Sequence, residues 1–224
     1  MPKSTLDNIP EEKRERVLRE AALLFAEKGY PDTDMAKLAR RAGISKGSIY
    51  TYFESKDELY LYDCRDGLDR SREAVVGGVD PARDIYHLED NIFHTGVSFA
   101  RAHPEYVSLY LSFSPSGMEF FARELSEDVE KPTADYLKQL IRDGIERGYV
   151  RDDLDVEHAA WLINNNYVMF LAALVSRHFR TRMTTYFEIE GELADVDIEL
   201  HLDRTIRLIH DLLRPAGLSL DWED

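Results

Sequence analysis

Between Met35 and Phe53 the chain carries the residue types that two short helices need in order to cross at a tight turn. Close approach of two helix axes calls for a small side chain, and Ala39 is there. Four residues on, the turn must pass through left-handed backbone space, where glycine is unstrained, and Gly43 is there. Ile44 is an apolar plug for the corner, and Ile49 anchors the second helix. Asp34 and Ser45 stand where N-caps are wanted, each with an oxygen that can accept from a free backbone N–H of the first turn. Such a hairpin cannot bury both faces alone. The stretch from Pro10 to Lys28 supplies the cover: Val17, Ala21, Leu24 and Phe25 recur at helical spacing, Leu18 and Ala22 widen the stripe, and Gly29 ends it. The pattern predicts a helix-turn-helix within residues 1–55.

The exposed chemistry follows from that geometry. The second helix of such a unit lies in the major groove with its N-terminal residues at base edges. Here these are Lys46, Gly47 and Ser48. Lysine can donate to guanine, serine can pair with several bases, and glycine lets the backbone approach closely. Tyr50, Tyr52 and Thr33 are placed to hydrogen-bond phosphates, with Thr51 beside them on the same helix. Lys56 opens the next helix, where its ammonium and the free backbone N–H groups can grip another phosphate. Spacing alone leaves a second reading open, a helical hairpin that merely packs and whose tyrosines are ordinary surface.

A net charge of -15 looks wrong for a DNA binder until the charges are located. Residues 1–60 hold eleven Lys/Arg and eleven Asp/Glu, so the whole excess of acid belongs to the remainder. Within the head, Lys37, Arg40, Arg41 and Lys46 face one acid, Asp34, over Thr33 to Phe53. A neutral-to-basic head on an acidic body suggests that only the head meets phosphate.

Helical periodicity continues to the end, and no strand-like alternation is convincing. Further helices are expected from about Lys56 into the seventies, Ala82 to Ala102, Pro104 to Phe113, Met118 to Arg147 with Pro132 as a kink or division, Val156 to Phe179, and Ile198 to Leu213. Glycine and proline at Gly77 to Pro81 and at Ser114 to Gly117 separate them. The fold class is therefore all-α, about nine helices, a DNA-binding head over residues 1–55 followed by a body over residues 56–224. His158 to Ser176 has no formal charge and nearly the length of a membrane span. Asn164, Asn165 and Asn166 in its middle favour a helix buried in protein. Cys64 is the single cysteine, so no internal disulfide is possible, which suits a reducing cytosol. The N-terminus has no apolar run of a signal peptide. A cytoplasmic protein is expected, with no membrane partner.

The stretch AALLFAEKGYPDTDMAKLARRAGISKGSIYTYFESKDELY resembles the N-terminal domain of TetR-family regulators. That family's pattern is met by Gly29, Asp34, Ala42, Gly43, Ile44, Ser45, Gly47, Tyr50, Tyr52, Phe53, Lys56 and Leu59. Asp34 is a small departure, because threonine or serine is common there; it caps equally well but repels a nearby phosphate. The later GIERGYVRDDLD, Gly144 to Asp155, resembles the loop before the eighth helix of the family. The resemblance implies a ligand-responsive regulator of transcription, commonly a repressor, that is released from its operator by a small molecule.

One helix-turn-helix makes few contacts, so specific operators usually take two, about 34–36 Å apart per turn of duplex. A homodimer on a palindromic double-stranded operator is expected. The uncharged helix is apolar nearly all round and must bury two faces. Tyr167, Leu171, Leu174 and Val175, with Ile206, Ile209 and Leu213 of the last helix, are the expected dimer face, a four-helix seam that the resemblance also implies. The alternative makes both helices internal core of a monomer. The resemblance further implies a pocket in the body, for which Phe93, His94, Val97, Tyr110, Tyr136, Trp161 and Asn165 are candidates. Of the three asparagines, one is expected toward the pocket, one toward the dimer seam and one between helices. Amides satisfied by neighbouring helices are the plainer reading. No basic cluster stands out in the body, so apolar or aromatic effectors, or a cation met by acids and aromatic faces, are favoured over strongly anionic ones.

Enzymatic readings find little support. No histidine or cysteine spacing marks a metal site or a nucleophile, and no glycine-rich phosphate loop follows a strand. Asp152, Asp153 and Asp155 lack the glycine and downstream ligands of a calcium loop and are expected to cap the next helix. No cofactor, metal or catalytic residue is expected. The remaining rival is a helical interaction module with a degenerate head.

Overall fold

Caps and glycines set the element boundaries. The computed structural model describes residue 6 and residues 8–77, 84–112 and 118–216. The expected breaks at Gly78 to Pro81 and at Ser114 to Gly117, and the expected helix start at Ala82, lie outside the described residues. Among the described residues there are ten helices: α1 (Glu11–Asp32), α2 (Met35–Arg41), α3 (Lys46–Tyr52), α4 (Lys56–Val76), α5 (Ile85–Ala102), α6 (Pro104–Leu111), α7 (Glu119–Glu146), α8 (Val156–Val175), α9 (Arg177–Tyr186) and α10 (Asp195–Leu213). Among the described residues there is no strand.

The chain divides into two compact units, Met1–Arg72 with Ala102–Glu127, and Glu73–Arg101 with Asp128–Asp224. In the first unit, the inward stripe of α1 (Leu18, Ala21, Ala22, Leu24 and Phe25) meets Leu38 and Ala39 of α2 and Ile49 of α3 in one buried cluster. The same cluster takes in Leu59, Tyr60 and Cys64 of α4, Leu109 of α6, and Phe121 and Leu125 of α7. Tyr30, Tyr60 and Phe121 meet tilted or edge-on at centroid distances of 4.7 to 5.0 Å, a geometry favoured by the ring quadrupoles. A cut at residue 55 runs through this cluster, so the compact unit is larger than the 1–55 segment.

On α4 the Arg70 guanidinium holds Glu15 of α1 at 2.7 Å and Asp66 at 2.6 Å. Near it, Asp63 is fully buried, and neither carboxylate oxygen has a hydrogen-bond partner among the described residues. Burial, reinforced by the neighbouring Asp66 charge, pushes its pKa well above the usual carboxylate range.

The second unit surrounds a separate core of Phe93 and Val97 from α5, Leu137 and Ile141 from α7, Ile163 and Phe170 from α8, and Leu202, Ile206 and Leu213 from α10. After α7 the chain turns tightly enough that a Cβ on Gly144 would lie 2.6 Å from the Val150 side chain. Arg151 N–H then donates to the Leu213 carbonyl at 2.9 Å, tying this loop to the end of α10. The Asp155 carboxylate accepts from His158 N–H at 3.0 Å and caps α8, as expected.

Three boundaries differ from the sequence pattern. α7 runs through Pro132 as one helix. α8 stops at Val175, where Ser176 is extended, and α9 leaves at 117°. Arg180 reaches back to the Ala173 and Leu174 carbonyls, at 3.2 and 2.9 Å, and so satisfies the end of α8 that the break exposes. α10 begins at Asp195, because the Asp197 carboxylate accepts from Ala194 N–H at 3.0 Å and caps the helix early. Among the described residues no single helix is long and apolar enough to cross a membrane, and α8 buries Ala159, Ala160, Ile163 and Phe170 within its own unit.

Candidate nucleic-acid interface

The turn between α2 and α3 is built by backbone groups that find partners locally. Asp34 accepts from Ala36 N–H at 2.8 Å and starts α2. Gly43 takes φ +68, Gly43 N–H reaches the Arg40 carbonyl at 3.2 Å, and Ile44 N–H reaches the Ala39 carbonyl at 2.9 Å. Ser45 then accepts from Ser48 N–H at 3.0 Å and opens α3. Ala39 is buried at the crossing and Ile49 is fully buried beneath α3.

With Ile49 facing inward, helical geometry turns Gly47 and Thr51 to the far side of α3. These two are exposed, as are Lys46 at the start of the helix and Tyr50, and Ser48 is half-buried. Lys46 makes no hydrogen bond or ion pair among the described residues, so its ammonium is open to a ligand. The Ser48 hydroxyl shares a 2.8 Å hydrogen bond with that of Ser45, and Thr51 Oγ1 donates to the Gly47 carbonyl at 3.0 Å. A Cβ on Gly47 would find nothing closer than Ser45 Oγ at 3.8 Å, so the backbone there is open to close approach.

Three residues expected at phosphates are placed differently. Thr33 is 5% exposed, and its hydroxyl donates to the Gly29 carbonyl at 2.7 Å. It closes the turn after α1, where Gly29 breaks the helical course. Tyr52 is 6% exposed because it lies one turn after Ile49, on the same inward face. Lys13 stands over its ring, 5.7 Å from the centroid. Lys56 donates to three carbonyls, those of Tyr30 at 2.9 Å, Pro31 at 3.1 Å and Thr33 at 3.3 Å, and sits 4.5 Å from the Tyr30 centroid. Its ammonium is a clamp on the α1–α2 turn.

Local electrostatics also shift. Arg41 is bound to Glu20 at 2.7 Å and to Glu27 at 3.0 Å, and the hydrogen bond to Glu20 leads in raising its pKa. Its charge is spent inside the head. Arg40, at the end of α2, is exposed and makes no ion pair among the described residues. It was legible only as one of four basic residues, since nothing in the spacing separates it from Arg41.

In the body, the residues proposed for a pocket differ in their surroundings. Trp161 is 64% and Tyr136 38% exposed. Phe93 and Val97 are core, each 1% exposed. His94 is engaged on both ring nitrogens, by the Asp90 carbonyl at 2.8 Å and Asp203 Oδ1 at 3.0 Å. Tyr110 belongs to the first unit and the other six to the second. The Asn165 and Asn166 amides donate within α8, to Trp161 O at 2.7 Å and Leu162 O at 2.9 Å, so neither needs a pocket or a neighbouring helix. Asn164 is half-buried. A small cleft of about 40 Å³, open to solvent, is lined by Ile85, Leu88, Leu140, Gly144, Arg147 and Tyr149 among others, and by none of the seven.

The expected dimer face is likewise redistributed. Ile206, Ile209 and Leu213 are 2%, 6% and 0% exposed, turned into the core of their own chain. Tyr167 is half-buried with its ring edge-on to Phe93 at 5.5 Å. Leu171 and Leu174 pack partly on the same core, and Val175 is half-buried. The large apolar residues left in solvent on these two helices are instead Trp161 and Leu162 of α8 and Val196, Leu200 and Leu208 of α10, exposed by 64%, 42%, 73%, 45% and 70%. Leu200 and Leu208 lie on the side of α10 away from the core stripe.

Residues 17–62 match the family model of bacterial regulatory proteins, tetR family. The chain is similar to the HTH-type transcriptional repressor KstR2 of Mycobacterium tuberculosis, 30% identical over 149 residues that make up 65% of this chain and 72% of that one. Among solved structures, a TetR family transcriptional regulator from Chloroflexus aurantiacus superposes with a TM-score of 0.67 at 25% identity, covering 96% of this chain and 99% of that one. FadR from Bacillus subtilis, solved in complex with stearoyl-CoA, shares the fold with a TM-score of 0.69 at 16% identity, over 89% of this chain and 99% of that one.

Proposed function

Because this chain belongs to the TetR family of bacterial transcriptional regulators, we propose that it is a repressor that holds a palindromic double-stranded operator as a homodimer and is released by a small-molecule effector. The observation that carries this reading is the exposed start of α3, where Lys46 and Gly47 face solvent while Ile49 and Tyr52 fix the helix from beneath. Residues 1–55 do the DNA binding and residues 56–224 the effector binding and dimerisation. Lys46, Gly47 and Ser48 read base edges, while Tyr50, Thr51 and Arg40 meet phosphates. Thr33, Tyr52 and Lys56 serve the same function from below by holding α3 and the turn before it. The protein acts in the cytoplasm, and no catalytic step belongs to this reading.

The seam between copies uses the exposed residues Trp161, Leu162, Leu200 and Leu208, which form the kind of apolar surface that a partner covers. The effector has a substantial apolar part, in keeping with a body whose core is aliphatic and aromatic and with the stearoyl-CoA bound by the FadR relative. Its binding changes the separation of the two heads, and the dimer then no longer fits both half-sites.

Selection of bound sites from random DNA, followed by titration of the winning fragment at several salt concentrations, tests the proposal. A palindrome with half-sites about 10 bp or a multiple apart is expected. Affinity should fall steeply with salt as counterions are released. Absence of any enriched site at low salt sinks it.

A further inference from the structure

Two lobes of opposite charge follow one another in the second unit without pairing. α9 carries Arg177, His178, Arg180 and Arg182 and no acid, a basic cluster that the body had not been expected to contain. The stretch from Glu188 to Glu199 carries six acids and no base. Of these, Asp195 and Glu199 pair with Arg101, and Asp197 caps α10. Arg177, Arg182, Glu188, Glu190 and Glu192 are all exposed, and no ion pair of the described residues includes them.

Each lobe is anchored by groups other than its exposed charges. α9 is fixed by Phe179 and Met183 against the core and by Arg180 on the carbonyls of α8. Arg182 lies over the Tyr186 ring at 4.9 Å. The acidic loop is fixed by Phe187, which stacks on His201 at 4.0 Å and 5°, by Ile189 N–H on the Thr184 carbonyl at 2.9 Å, and by Leu193 against the core. Its backbone passes through positive φ at Glu188 and Gly191, +55 and +88. Adjacent in the chain, the two patches of opposite charge are joined by no ion pair among the described residues.

We infer that this pair of lobes is a self-complementary clasp between two copies of the chain, in which Arg177 and Arg182 of each copy face Glu188, Glu190 and Glu192 of the other. The inference rests on the homodimer proposed above. A twofold contact places the same patch on both subunits, so a surface with one positive and one negative lobe meets its complement twice. Nucleic acid or an acidic partner suits α9 but is repelled by the loop beside it. Tyr186 on α9, 71% exposed, and Trp161 and Leu208 on the flanking helices, 64% and 70%, carry the exposed apolar surface along the same three helices.

The test is the dimer dissociation constant of the full chain, by sedimentation, at low and high NaCl. Arg177→Glu with Arg182→Glu, and separately Glu188→Arg with Glu190→Arg and Glu192→Arg, should each weaken the dimer by about tenfold or more at low salt. The combined charge swap should return it to within about threefold of the starting chain. The combined variant also guards against misfolding, because recovery cannot come from a chain that does not fold. If the natural chain is a dimer and either swap alone leaves the constant unchanged, or the combination stays weak, the clasp is wrong and the dimer stands. If the natural chain is monomeric throughout, the homodimer reading falls and the clasp falls with it.

Discussion

Replacing Lys56 with methionine separates two roles that a lysine at the start of α4 can have. The ammonium donates to the carbonyls of Tyr30, Pro31 and Thr33 at 2.9, 3.1 and 3.3 Å and lies 4.5 Å from the Tyr30 ring centroid. A single hydrogen bond from a charged donor contributes about 1.5–3 kcal/mol net. The three bonds share one ammonium, the 3.3 Å one is weak, and the Pro31 bond is exposed, so they do not add. The ring contact contributes about 0.5 kcal/mol at such a site. Methionine keeps the stem, and the expected loss is about 2 kcal/mol. For a chain of this size that lowers the melting temperature by about 4–8 °C. A phosphate contact predicts something else: each neutralised phosphate adds about 0.9 to the slope of log affinity against log salt, so loss of one per subunit reduces a dimer's slope by about 1.8. Melting curves and operator titrations between 50 and 300 mM salt, at roughly 20 °C, read both quantities. The clamp predicts a lower melting temperature with the slope unchanged. A slope reduced by about 1.8 with an unchanged melting temperature would falsify the clamp and return Lys56 to the phosphates.

Lys46→Ala and Ser48→Ala should change which sequences are selected from random DNA, costing about 1–3 kcal/mol at particular base positions, whereas Tyr50→Phe should weaken all sites alike; equal loss on every sequence from the Lys46 change removes its base-reading role. Asp63→Asn tests the buried carboxyl by urea unfolding across pH. The folded protein keeps a proton that the unfolded chain releases near its ordinary value of 3.8, so wild-type stability falls as pH rises above that value. The asparagine variant should therefore gain on wild type as pH rises above about 4, and parallel curves would show that the carboxyl is solvated. Trp161→Glu with Leu208→Glu should weaken the dimer by about 2–4 kcal/mol and abolish palindrome binding while each chain stays folded; an unchanged sedimentation coefficient at micromolar concentration would place the seam elsewhere.

The parts of this protein that were legible in its sequence are those where the cause is local. Gly43 must take a positive φ because the turn leaves no other path, and Asp34, Ser45 and Asp155 cap because a short polar side chain there satisfies a backbone N–H two or three residues on. The inward stripe of α1 and the anchor at Ile49 follow from a period of 3.6 residues. Exposure at Gly47 and Thr51 follows from the same period once Ile49 is known to face in, whereas Lys46, three residues before Ile49, is exposed because it opens the helix. Tyr52 was legible by that rule too, being three residues after Ile49. Its hydroxyl suggested phosphate, but its place on the helix put the ring in the core.

Helix content, the turn and the face of α3 were thus fixed by neighbours within a few residues, where backbone geometry and hydrogen bonding leave few choices. Which polar atoms were already taken was not. The carbonyls that hold Lys56 lie 23 to 26 residues away, and the two acids that neutralise Arg41 lie 21 and 14 residues away. The apolar faces of α8 and α10 show the same limit. Periodicity says that these helices have apolar sides, but only packing decides that Ile206, Ile209 and Leu213 turn inward while Leu200, Leu208 and Trp161 stay in solvent. A side chain's chemistry is written in its own residue, whereas its availability depends on which distant groups the fold brings within about 3 Å of it.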